Sequence, residues 1–281
     1  MSEFQYYEFY SIDRPLSSKD KKEIGTWSSR TIPSSRKAIF TYSYGGFPKD
    51  ENSVLLKYFD AFFYISNWGT KRLMFKFPKE LVDFKALKQY QIEVLNDYEN
   101  GMKVYKKKKH VVIEIYFTEE EGVGWLEEEQ SWLENLISLR NEILREDYRS
   151  LFLIWFHAIK MKHDYEELKP NFAISQDFIP NNLKNLSSGL KTLIDFFEID
   201  ETTIKSISNH SLSIKKNLDV IKEQISLLPE STKDKILCKL LDEDIGLANE
   251  LNQELKKTDK KTDKKEKVTK TKILLESVLN L

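Results

Sequence analysis

Residues 57–78 read KYFDAFFYISNWGTKRLMFKFP, and the fold turns on how that stretch is divided. Leu55, Tyr58, Phe59, Phe62 and Ile65 recur at helical spacing and make one wide apolar face, so the spacing predicts a helix through the first half. Asn67-Trp68-Gly69-Thr70 interrupts it, with Gly69 placed for the left-handed conformation that ends many helices. The second half alternates. Leu73, Phe75 and Phe77 fall on one face, Arg72, Met74 and Lys76 on the other, and Pro78 closes the run. A helix feeding a strand through a short turn predicts an α/β layer with this unit at its centre.

Upstream, Tyr6 to Ile12 is an aromatic strand, and Asp13-Arg14-Pro15 turns the chain. Ser17 with Asp20 three residues on marks a helix start of the capping-box kind. Lys37 to Tyr44 reads as a second strand and Gly45 to Pro48 as a loop. Downstream, Leu81 to Tyr90 predicts a short helix and Gln91 to Asp97 a strand. Asn100-Gly101 is a two-residue hairpin signal that would join that strand to Met102–Tyr105. The cleanest strand follows, with Val111, Ile113, Ile115 and Phe117 alternating against Val112, Glu114 and Tyr116.

Beyond Gly122 the pattern turns helical. Trp125 to Arg145 keeps helical spacing, and Arg149 to Met161 is apolar nearly all round, which predicts a buried helix. Pro170 and Pro180 punctuate the loop that follows. Three further helices are expected. The first has Leu183, Leu186, Leu190, Leu193 and Phe197 as its seam. The second is capped by Asp200 and runs through Ile207, Ile214 and Leu218 to Leu228, and the third is capped by Ser231. Their seams are too short for an autonomous coiled coil, so a bundle is expected.

The expected fold is therefore α+β. Residues 1–120 form a mixed β-sheet with helices, 121–165 are connecting buried helices, and 180–257 are an all-α bundle. Residues 258–272, with a tandem Thr-Asp-Lys-Lys, are a basic flexible linker, and 273–281 an apolar terminal helix. That helix, through Leu274, Leu275, Val278 and Leu279, would dock on the bundle or on another chain.

The 281 residues are 40% hydrophobic and 32% charged, enough for a sizeable core on a soluble protein. No run approaches a membrane span, the N-terminus lacks a signal-peptide pattern, and the single Cys238 fits a reducing cytoplasm. The net charge of −1 conceals segregation. Residues 1–118 carry 20 basic against 14 acidic side chains, and residues 119–181 carry 6 against 14. The plain reading is solvation or intramolecular complementarity. The sharper one is an anionic partner for the basic ends.

Signatures of catalysis are sparse. The sequence has no GxGxxG, no Walker A motif and no HExxH, and His157 and His163 fall on different helix faces. No cofactor and no metal are therefore expected. Glu119–Glu121 and Glu127–Glu129 read as solvated helix starts. One polar constellation stands out: Arg14, Arg30, Arg36, Tyr44, Trp68, Lys71 and Arg72, at strand ends and adjoining loops. Arginines with Trp and Tyr can bind phosphate or stack on bases. The competing structural reading pairs Arg14 and Arg72 with Asp13 or Asp60 and puts Trp68 in the core.

The strings YYEFYSIDRPL (6–16), SSR (28–30), YFDA (58–61) and NWGTKRLM (67–74) resemble a family of bacterial hypothetical proteins that has no assigned activity. The resemblance covers mainly residues 6–80, implies a bacterial cytoplasmic protein and transfers no catalytic residue. The expected function is a non-enzymatic interaction or accessory subunit. The alternatives are a nucleic-acid-associated protein using the N-terminal arginines and lysine runs, and an enzyme acting on an anionic small molecule at the loop cluster.

Overall fold

The computed structural model describes residues 4–94, 100–118, 132–165, 168–169, 171–213, 218–241, 251, 254–255, 272–275 and 278. Seven strands form one sheet: β1 (Gln5–Tyr10), β2 (Lys37–Tyr42), β3 (Ala61–Ser66), β4 (Thr70–Pro78), β5 (Ile92–Glu93), β6 (Gly101–Lys107) and β7 (His110–Thr118). Their order across the sheet is β2-β1-β3-β4-β7-β6-β5. Every neighbouring pair is antiparallel, so the expected mixed sheet is instead wholly antiparallel.

The stretch 57–78 divides differently from its spacing. Helix α2 (Glu51–Tyr58) stops at Phe59, and Ala61–Ser66 is a strand rather than a continuation of the helix. The two strands form a β-hairpin around Asn67-Trp68-Gly69, with Ile65 opposite Lys71. Gly69, at φ +96°, sits in that turn. The turn is pinned to the N-terminus, because Phe4 N–H donates to Asn67 Oδ1 at 2.9 Å. The reason is burial. All six residues of β3 are buried, since helices cover both faces of the sheet, and a strand with two buried faces shows no alternation.

Two apolar layers result. On one face Phe9, Phe40, Leu55, Phe59, Phe62 and Met74 pack beneath α1 (Ser18–Gly25) and α2. On the other, Phe63, Phe75, Ile113 and their neighbours pack against α3 (Phe84–Lys88), α4 (Trp132–Leu144), α5 (Arg149–Asp164) and α6 (Ser188–Phe196). Phe62 and Phe63 are adjacent in sequence, fully buried and on opposite faces. Each contributes roughly 1.5–3 kcal/mol through burial.

Helix starts follow local chemistry. Ser17 and Asp20 form the reciprocal capping box before α1, and Asp50, Asp83 and Ser187 cap α2, α3 and α6. The hairpin pairing of Gln91–Asp97 with Met102–Tyr105 appears as Ile92 opposite Met102. Asn100-Gly101 is not its turn, however, because Gly101 already lies in β6 opposite Glu93. Gly101 has φ +137°, and a Cβ there would stand 2.2 Å from the Ile92 carbonyl oxygen, so any side chain at this position is strained and forces the backbone to shift.

The later chain is helical. Asp200 caps α7 (Glu201–Ser208), which ends where one long helix was expected to run on. α8 (Leu218–Ser226) and α9 (Glu230–Leu241) follow, and α9 begins one residue before Ser231. This part is not purely helical. β8 (Ala173–Ser175) pairs antiparallel with β9 (Lys272–Leu274), so Ile273 and Leu274 lie in a strand where the terminal helix was expected to begin, while Leu275 and Val278 are helical. The pairing partner lies about a hundred residues upstream, beyond the reach of any local pattern. Nor does the apolar core break at the Pro170–Pro180 loop. A single cluster of buried residues runs from Tyr6 through Leu190 and Ile207 to Val278. The acidic runs 119–121 and 127–129, the Thr-Asp-Lys-Lys repeat and Leu279 lie outside the described residues.

Candidate functional site

The arginine-centred constellation is spread over both ends of the sheet. At the end where β1 stops and β3 begins, the buried Asp60 accepts from Ile12 N–H at 2.7 Å and Asp13 N–H at 2.9 Å. Its other oxygen lies 3.1 Å from Lys76 Nζ, and that lysine is nearly as buried. Asp13 in turn receives both Nη atoms of Arg140, at 2.8 and 2.7 Å. Arg140 is fully buried, and its Nε donates to the Lys76 carbonyl at 2.9 Å. Arg36 Nη1 closes the corner by donating to the Ser11 and Ile12 carbonyls. The SIDR and FDA strings thus build an ion network that ties β1, β3, β4 and α4 together. Asp60 is the partner of Lys76, not of Arg72. Arg14 stands exposed beside this corner.

Trp68 and Tyr44 share the opposite end of the sheet, where Gln5 stands opposite both Tyr42 and Ser66. Trp68 is 42% exposed and Tyr44 80% exposed, so Trp68 does not fill the core. Arg72, two strand positions in, faces α2. It bonds Glu114 at 2.8 Å, lies 3.8 Å from Glu51, and stacks over Phe62 and Tyr116. Burial alone would pull the Arg72 pKa down, but the Glu114 and Glu51 carboxylates more than reverse this, so it rises. Tyr105 donates to Asn52 at 2.7 Å and lies 3.3 Å from Glu114. Burial, then the charge of Glu114, pushes this phenol well up, which removes it as an acid near neutral pH. Lys71 points the other way, into the opposite layer, where the buried ammonium pairs with Glu198 at 2.7 Å. Successive strand residues take opposite faces, so Lys71 and Arg72 cannot share a site.

Clefts lie elsewhere. One of about 430 Å³ opens at the β2 edge beside Arg30, and one of about 620 Å³ lies between α6 and α7 over Leu183, Ile194 and Ile204. A third, of about 410 Å³, adjoins Trp155 and Phe178. Trp68 lines none of these three. His157 packs edge-on against Phe117 with ring centroids 5.0 Å apart. Burial, with help from Lys160 and Lys71, holds its pKa down at about 4. Among the described residues, no group of His, Cys, Asp and Glu side chains has the arrangement of a metal site. No helix among them is long and apolar enough to cross a membrane.

The expected partner-binding leucines divide as well. Leu275 and Val278 are buried in the chain's own core, whereas Leu274 is 46% exposed. Exposed apolar surface lies at and just before α9: Leu227, in the turn after α8, is 66% exposed, and Leu237 and Leu240 on α9 are 58% and 61% exposed. Leu237 and Leu240, three apart, share one face of α9.

Comparison with protein-family models, with curated proteins and with solved structures finds no match. The family resemblance of residues 6–80 therefore rests on its motifs alone.

Proposed function

We propose that this chain is a non-enzymatic interaction or accessory subunit of a bacterial cytoplasmic complex, and that α8 and α9 carry its docking surface. The observation behind this reading is the exposure of Leu227, Leu237 and Leu240, at and just before α9, at 66%, 58% and 61%. A cluster of exposed leucines is costly in water and is characteristic of surfaces that meet a partner. The α6–α7 cleft, with an apolar floor of Leu183, Ile194 and Ile204, offers further apolar surface of the same kind.

One feature weighs against the nucleic-acid alternative: Arg36 and Arg72, central to it, already spend their guanidiniums on internal acceptors.

The test is capture from the native host with tagged full-length protein, with and without nuclease, beside the double variant Leu237→Glu, Leu240→Glu. The expected result is a protein partner that survives nuclease and is lost with the double variant at unchanged melting temperature. A strictly monomeric protein that retains nothing, or a partner held equally by the variant, overturns the reading.

A further inference from the structure

The arginines that this fold uses are hydrogen-bonded to internal acceptors: Arg36 to two carbonyls, Arg72 to Glu114, Arg140 to Asp13 and Arg149 to Asp147. Arg30 differs. Its backbone N–H is held by Ser28, but its exposed guanidinium has no internal partner among the described residues. It stands at the mouth of the 430 Å³ cleft between the 30–34 loop and the free edge of β2.

The loop that carries Arg30 is fastened to that edge. The Thr31 hydroxyl donates to the Ile39 carbonyl at 2.7 Å, and Ser34 N–H donates to the Lys37 carbonyl at 2.8 Å. Ser34 Oγ accepts from both Lys37 N–H at 2.9 Å and Arg36 N–H at 3.2 Å. Its two lone pairs are thereby used, and its own proton remains to be donated. The Thr41 and Ser43 hydroxyls also line the cleft and have no internal partner among the described residues. Lys37 supplies a second cation. One of its protons goes to Glu134 at 2.7 Å, and two remain. The lining includes no carboxylate, while Ile32 and Ile39 give it an apolar side.

The guanidinium of Arg30, the protons that Lys37 keeps beyond its Glu134 pair and several spare hydroxyl donors make an oxyanion site, and a fork-shaped guanidinium suits phosphate in particular. The volume exceeds that of a phosphate group alone and falls in the range of small-ligand pockets. We infer that the β2-edge cleft binds a phosphate monoester, with Arg30, Lys37 and Ser34 on the phosphate and Ile32 and Ile39 against the organic body. This site is separate from the α8–α9 surface and does not depend on it.

The experiment is a titration of the full chain with phenyl phosphate and with inorganic phosphate. It is followed by calorimetry and by amide chemical shifts, for the wild type, Arg30→Gln and the distant control Lys184→Gln. Phenyl phosphate should bind saturably and more tightly than inorganic phosphate, moving amides at 30–34 and 37–43. Arg30→Gln should weaken it at least about tenfold, as expected for loss of a charge-assisted bond, while Lys184→Gln leaves it unchanged. Arg30 is exposed, so its replacement leaves the core intact. No saturable binding, equal affinity for the two phosphates, an unaffected Arg30→Gln or an equally weakened Lys184→Gln each overturns the assignment.

Discussion

Replacing Asp60 by Asn changes one atom and removes one charge, which makes it a clean probe of the corner network. In the folded chain the carboxylate accepts two backbone N–H groups and faces Lys76 Nζ at 3.1 Å, and both side chains are almost wholly buried. An Asn can keep one acceptor oxygen, but its NH2 must then point at a donor, either the Ile12 and Asp13 amides or the lysine. Among the described residues, Lys76 then retains only the Leu55 carbonyl, at 3.2 Å. Breaking a buried ion pair from one side costs about 3–5 kcal/mol, because the surviving charge has no counterpart. Removing the lysine as well should recover much of that loss, since Met fills the same space without a charge. The assay is urea denaturation, followed by circular dichroism, of the wild type, Asp60→Asn, Lys76→Met and the double variant. Asp60→Asn is expected to cost about 3–5 kcal/mol, and the double variant less than Asp60→Asn alone. Removing the exposed Lys57–Glu23 pair by Lys57→Ala should leave the midpoint where it is. If Asp60→Asn cost no more than that surface control, or if the double-mutant cycle showed no coupling, the corner would not hold the sheet ends together as argued.

Further outcomes follow from single positions. Gly101→Ala should destabilise by roughly 2 kcal/mol or more, since it meets both a strained φ and the Ile92 carbonyl, whereas Gly46→Ala, with open space around it, should be neutral within about 0.5 kcal/mol. Paired denaturation curves of the two variants check this. His157 is neutral in the folded chain, with a pKa of about 4, while the unfolded chain takes up a proton near 6.5. Its contribution is therefore present above pH 6.5 and is lost as pH falls towards 4, by at most about 3 kcal/mol. His157→Phe should flatten the stability profile across that window, and a profile of unchanged slope would remove His157 as a source of acid sensitivity. Ser17→Ala should cost about 1 kcal/mol by removing the hydroxyl that caps α1, read as a lowered urea midpoint.

What the sequence determined by itself is local. The starts of α1 and α7 are legible because Ser17, Asp20 and Asp200 satisfy free helix amides within three residues of themselves. Strand β7 was legible because only one of its faces is continuously apolar, so Val111 to Phe117 alternate. The Trp68 turn does separate two elements, but the first is a strand and not the helix that its spacing predicts. Tertiary structure decided the rest. β3 lies between two helical layers, and burial on both sides erased the period that distinguishes a strand from a helix. The strand at 272–274 exists only because residues 173–175 stand beside it. The seven candidate side chains were scattered because alternation sends Lys71 and Arg72 to opposite faces, and because Arg36 finds the Ser11 and Ile12 carbonyls across the corner. Asp60, Lys76, Arg140 and Asp13 are spread over more than a hundred residues and meet only when the sheet closes on α4. Charge in a sequence reads as surface, and only the packed chain shows which charges it buries together.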